Sequence, residues 1–227
     1  FHSMGKMKVA IVAVATAFLG FSVLVIGVIQ DYLSHEFNQF DIVVSYLVQA
    51  IFNYKWSFLI SMFKLTTSMR VLVPLTIFML VWIIRRNVDR ILEIQSLFIV
   101  ILGGEILQYG LRHIFRRIGP SLISLMGNKQ YTFPSYEALM AIVFYGFFVY
   151  LIVRHAKKLW AKTVVLIITL FICIISGLNP IFFGTQYPSD VYAGYVFGGV
   201  WLTINIILLE VYRILPTIKL KTSDSLK

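Results

Sequence analysis

Three polar clusters interrupt an otherwise apolar chain: Arg112, Arg116 and Arg117; Ser135, Tyr136 and Glu137; and Gln186 with Asp190 four residues later. Guanidinium groups are the side chains best matched to phosphate oxygens, because their planar forks donate in pairs. Gln186 is a carboxamide. Its nitrogen lone pair is delocalised into the carbonyl, so it is no useful nucleophile. The candidate histidine nearest these clusters, His113, has no carboxylate at triad spacing and reads as structural or interfacial, while His35 and His155 lie in other segments. No His, Asp or Glu cluster has a recognised ligand spacing, so neither metal nor cofactor is expected. Cys173 is the single cysteine and lies in an apolar run, which excludes a disulfide framework and points to an inert thiol.

The elements that position these residues are membrane spans. Hydrophobic residues make up 59 % and charged residues 13 % of the 227, and the mean hydropathy is +0.86, too apolar for an ordinary soluble domain. Runs near the roughly 20 residues needed to cross about 30 Å of hydrocarbon occur at Val9–Ile29, Thr66–Ile84, Ile94–Leu111, Ser135–Val153, Leu159–Leu178 and Val191–Val211. The second run carries Lys64 and Arg70 at its start and Pro74 inside it. Alternating the loops puts Lys6, Lys8, Arg85, Arg86, Arg90, Arg154, Lys157, Lys158, Lys162, Arg213, Lys219, Lys221 and Lys227 on one side. Lys55, Lys64, Arg70, Arg112, Arg116, Arg117 and Lys129 fall on the other. The heavier side is expected to be cytoplasmic, with both termini inside and the polar clusters facing outward.

The net charge of +10 is spread as punctuation between apolar runs, which favours membrane topology and excludes a nucleic-acid partner. Between the first two spans, Asp31–Trp56 repeats apolar residues at helical spacing and is expected to form an interfacial helix acting as a structural collar. Glu105 lies mid-span and Glu210 near the end of the last span; a membrane acid is a functional candidate by default, although a hydrogen-bonded interior glutamate explains Glu105 equally well. Gly103-Gly104 and Gly198-Gly199 suit close helix packing. The chain reads as a single domain, 1–227, with residues 1–4 a cloning remnant and 217–227 a polar cytoplasmic tail.

The stretches Leu111–Pro120, Phe133–Ala138 and Asn179–Asp190 resemble, in order and spacing, the three signatures of the type 2 phosphatidic acid phosphatase (PAP2) superfamily. The resemblance implies an all-α, six-transmembrane-helix bundle. In that family a third-signature histidine attacks phosphorus and an aspartate orients it. A second-signature histidine protonates the leaving oxygen, while a lysine, arginines, a serine and a glycine amide hold the phosphoryl group. Carried onto this chain, the lysine falls on Arg112 and an arginine on Gly119, with Arg117 matching a further arginine two residues earlier. Ser135 is kept, the glycine becomes Tyr136, whose bulk is expected to intrude on the phosphate, and the leaving-group histidine becomes Glu137. The Ser-Arg pair becomes Asn179-Pro180, the nucleophile becomes Gln186, and the orienting Asp190 remains.

The resemblance thus implies a catalytically inactive PAP2-like protein that binds a phosphorylated lipid, or partners a membrane protein of envelope lipid metabolism. Arg112, Arg116, Arg117 and Ser135 are the expected lipid-phosphate ligands. Two readings of the outer arginines stay open: a phosphate headgroup, or pairing with Glu137, Asp190, Asp31, Glu36 or Asp41. Alternatives of other classes are a lipid phosphate or polyprenyl pyrophosphate phosphatase using Glu137, and a lipid transporter or scramblase. The expected location is a bacterial plasma membrane, since Lys-, Ile- and Phe-rich usage is compatible with an AT-rich genome.

Overall fold

The computed structural model describes residues 2–120 and 130–225 and, among these, holds only one isolated antiparallel bridge, Ile118 with Tyr131, besides helices and turns. The helices are α1 (His2–Ser34), α2 (Phe37–Ile51), α3 (Ser57–Phe63), α4 (Met69–Arg86), α5 (Arg90–Phe115), α6 (Tyr136–His155), α7 (Leu159–Phe182) and α8 (Pro188–Ser225). Five helical segments are long and apolar enough to cross a bilayer, and a sixth span results if the bent pair Tyr54–Thr67 and Met69–Arg86 counts as one. This is the all-helical membrane bundle expected from the apolar runs. Exposed Leu19, Val23, Ile106, Leu166, Ile167 and Leu170 form the surface a lipid environment requires.

The second span, expected over Thr66–Ile84, is the helix Met69–Arg86, and the chain bends by 50° where the preceding segment Tyr54–Thr67 meets it. The hydroxyls at the break supply the reason: Thr66 Oγ1 donates to Phe63 O at 2.6 Å and Ser68 Oγ to Leu65 O at 2.7 Å. Such local side-chain bonds offer the backbone an alternative to continuing the helix. Tyr145, in a π-helical turn of α6 over Ala141–Tyr145, fixes the break by donating to Thr66 O at 2.6 Å. The bend carries Lys64, in the 3₁₀ turn Lys64–Thr67, towards the polar end of the bundle. At the other terminus α8 runs through Ser225, so the polar tail is helical over residues 217–225.

The core lies between α6 and α8. Leu139, Met140, Val143, Phe147 and Leu151 of α6 and Ala193, Val196 and Leu209 of α8 are buried together. Glycines set the distance between these helices: a Cβ on Gly194 would sit 2.7 Å from Ser135 O, and one on Gly198 would sit 2.9 Å from Leu139 O. The expected role of Gly198 in close packing is therefore explicit, and Gly194 adds a contact beside Ser135. Because the opposing atoms are backbone, Gly194→Ala is expected to cost about 1–3 kcal/mol. A lowered midpoint of thermal unfolding in detergent checks it.

Candidate functional site

At one end of the bundle, helix termini deliver the polar residues to one place. α8 starts with Pro188, whose missing N–H is harmless in the first turn. Asp190 reaches back to accept from Tyr187 N at 3.0 Å, and Asp41 of α2 accepts from Ser189 N at 2.8 Å, so two free amide groups of the helix start are satisfied by carboxylates. Arg117 then joins the two acids. It donates to Asp190 Oδ1 at 2.7 Å, Ser189 Oγ at 2.6 Å and Asp41 Oδ2 at 2.8 Å, while its guanidinium stacks 4.5 Å from the Tyr187 ring centroid. Asp190 has its other oxygen filled by Thr132 Oγ1 at 2.7 Å.

Of the two readings of the outer arginines, pairing describes Arg117. Arg116 adopts a left-handed conformation, φ 50°, that ends α5, and its exposed side chain donates to His113 O at 3.0 Å. Arg112 differs. Its one hydrogen bond among the described residues is a long 3.4 Å donation from Nε to Pro134 O, and it lines a cavity at this end. Lys129 lies outside the described residues.

That cavity holds about 500 Å³ and is lined by Lys64, Arg112, Tyr136, Glu137, Thr185 and Gln186, among others. Two adjoining cavities, about 240 and 440 Å³, share Lys64 and Glu137 with it. Inside it Gln186 Nε2 donates to Glu137 Oε2 at 2.7 Å. The two positions to which the resemblance assigns histidines thus meet directly, as an amide–carboxylate pair. Ser135 is buried and caps α6, accepting from Ala138 N at 3.3 Å and donating to Glu137 Oε2 at 3.4 Å.

Tyr136 was expected to intrude on the phosphate position. Its side chain lines the cavity, and its hydroxyl donates to Glu105 Oε1 at 2.8 Å, which gives the mid-span acid a partner. Gly119 is packed so tightly that a Cβ would lie 3.1 Å from Thr132 Oγ1 and 3.2 Å from Thr185 O, leaving no room for a longer side chain. Asn179 donates to Ile60 O at 2.7 Å and ties α7 to α3. Pro180 O accepts from Thr185 N at 2.9 Å and Gln186 N at 3.3 Å, which holds the turn that presents Gln186. His113 is exposed and bonded to Tyr109 O, away from any acid.

Sequence reasoning missed Lys64 and Thr132, and it named Asp41 as a partner for the arginines but not as the acceptor for Ser189 at the start of α8. A lysine at the edge of an apolar run was a usable signal, but only the bend at Ser68 brings it to Glu137. Asp41 sat in a segment read as a collar, and the segment does more than that. Among the described residues no group of His, Cys, Asp and Glu could hold a metal ion.

The chain matches no curated protein. Two solved structures are similar to it. The first transmembrane PAP2-type phosphatidylglycerolphosphate phosphatase from Bacillus subtilis aligns with a TM-score of 0.64 at 20 % identity, covering 85 % of this chain and 93 % of that one. Aquifex aeolicus LpxE aligns with a TM-score of 0.55 at 22 % identity, covering 73 % and 93 %. At these identities they establish the fold. The sequence itself matches the PAP2 superfamily over residues 93–213, more than half of its length, and the chain belongs to that family.

Proposed function

We propose that this protein binds a phosphorylated membrane lipid at the outer end of its bundle without hydrolysing it through a phosphohistidine. The observation that carries the reading is the Gln186–Glu137 pair at 2.7 Å. An amide cannot accept a phosphoryl group as imidazole does. Asp190, the orienting acid of the resemblance, is engaged by Arg117, Thr132 and Tyr187 and has no hydrogen bond with Gln186. What remains is a polar cavity with two cations, Lys64 and Arg112, neither in an ion pair among the described residues. Of the arginines expected to hold phosphate, Arg112 keeps that role; Arg117 and Ser135 support the site's frame. The lipid reading is favoured by the adjoining bilayer surface and by the family's fold.

Binding of dihexanoyl phosphatidylglycerol and dihexanoyl phosphatidic acid, with dihexanoylglycerol as phosphate-free control, tests this. At least one phospholipid should bind well above the control. Lys64→Ala and Arg112→Ala should each weaken it about tenfold, as loss of a charge-assisted hydrogen bond does. Binding of all three lipids alike would contradict the reading. One observation favours a second reading: Glu137 Oε1 accepts no hydrogen bond among the described residues and could serve as a base on a bound ester. Phosphate release lost in Glu137→Gln would support that instead.

A further inference from the structure

The lining of the cavity carries information about the headgroup itself. It does not hold donors alone, as a site for a bare phosphate would. Glu137 lines it together with Lys64 and Arg112, and Glu137 and Lys64 are shared by all three adjoining cavities. Both of Glu137's hydrogen bonds fall on Oε2, from Gln186 Nε2 at 2.7 Å and Ser135 Oγ at 3.4 Å, which leaves Oε1 open. A carboxylate only accepts, so the Gln186 amide must turn its nitrogen towards it and its oxygen away. That oxygen, Gln186 Oε1, is buried and has no partner, on a side chain whose residue is 7 % exposed. The Gln186 oxygen departs from the rule that buried polar groups are paired, whereas Glu137 is half-buried and lines the cavity with Oε1 unpaired among the described residues.

As a dianion a phosphate monoester brings only acceptors and two negative charges, and meets Glu137 with like charge. Lys64, Arg112 and Glu137 together leave one net positive charge, the complement of a phosphodiester. Resting on the lipid-binding reading above, we infer that the ligand is a phosphodiester lipid whose headgroup carries a hydrogen-bond donor, a hydroxyl or an ammonium. Lys64 and Arg112 take the diester oxygens. Glu137 Oε1 takes the headgroup donor. The main cavity of about 500 Å³ and the adjoining one of about 440 Å³ leave room for a headgroup larger than phosphate.

The test compares dihexanoyl phosphatidylglycerol, phosphatidylethanolamine, phosphatidylcholine and phosphatidic acid on the detergent-purified full chain by native mass spectrometry. Phosphatidylglycerol or phosphatidylethanolamine should bind about tenfold tighter than both phosphatidylcholine, which has no headgroup donor, and phosphatidic acid, the ratio one charge-assisted hydrogen bond commands. Which of the first two leads separates a hydroxyl from an ammonium. Glu137→Gln keeps the side chain's shape and removes its charge, so phosphatidic acid should gain and the preference should shrink severalfold. Tightest binding of phosphatidic acid, equal binding of phosphatidylcholine, or a Glu137→Gln preference identical to the parent's would overturn this inference and leave the lipid-binding reading standing. Failure of every phospholipid to bind would overturn both.

Discussion

Replacing Arg117 with leucine is expected to destabilise the protein by about 3–5 kcal/mol, the range for removing one partner of a buried ion pair. The guanidinium is 16 % exposed and lies between Asp41, 6 % exposed, and Asp190, fully buried. Without it two carboxylates are left close together, and each is held in place by the start of α8, since Asp41 accepts from Ser189 N and Asp190 from Tyr187 N. Neither can leave without exposing an amide group. The cost is that of stranded charge rather than a lost contact, so adding Asp41→Asn to Arg117→Leu should recover part of it. Thermal unfolding in detergent checks both: a large fall in midpoint for the single variant and a smaller one for the double. A double variant no more stable than the single would show that repulsion is not the cause.

The opposite end of the bundle should be as sensitive. Arg213→Met is expected to cost about 3–5 kcal/mol by the same mechanism. Arg213 is 4 % exposed and donates to the fully buried Glu93 at 2.6 Å, with Glu210 at 3.5 Å. Its Nε lies 3.4 Å from Asp89 Oδ2 but is aimed too poorly for a hydrogen bond, so that contact is charge alone. His155 Nε2 meets Glu93 at 2.8 Å, and Tyr150 and Arg154 both reach Glu210. These residues come from α5, α6 and α8, so the cluster ties together the helices that carry Arg112, Glu137 and Asp190 at the other end. Glu93→Gln in the Arg213→Met background should restore part of the loss in the same unfolding measurement. An Arg213→Met protein as stable as the parent would refute the account of this cluster.

The bundle was legible in the chain because lipid makes a simple demand. Apolar runs near span length mark helices whatever their neighbours do, and five of the expected spans appear with shifted ends. The second appears as Met69–Arg86, but the bend before it was not foreseen, because a break made by Thr66 and Ser68 bonding to their own turn looks, in a hydropathy window, like the start of a helix. The site was legible in part. Spacing alone brought Glu137 and Gln186 under suspicion, but not that they bond to each other. Arg117 and Arg112 look alike in the sequence, and only burial against Asp41 separates a structural arginine from an open one. The charge of Lys64 was visible, but its place in the cavity depends on the unforeseen bend.

The account stands most directly on one assay: phosphate release by the purified protein from phosphatidic acid, lysophosphatidic acid and a polyprenyl pyrophosphate. The account predicts no release above a protein-free blank for any of them, and no phosphorylated side chain after quenching. Sustained release that disappears in Arg112→Ala, with a phosphorylated residue trapped on the chain, would contradict it.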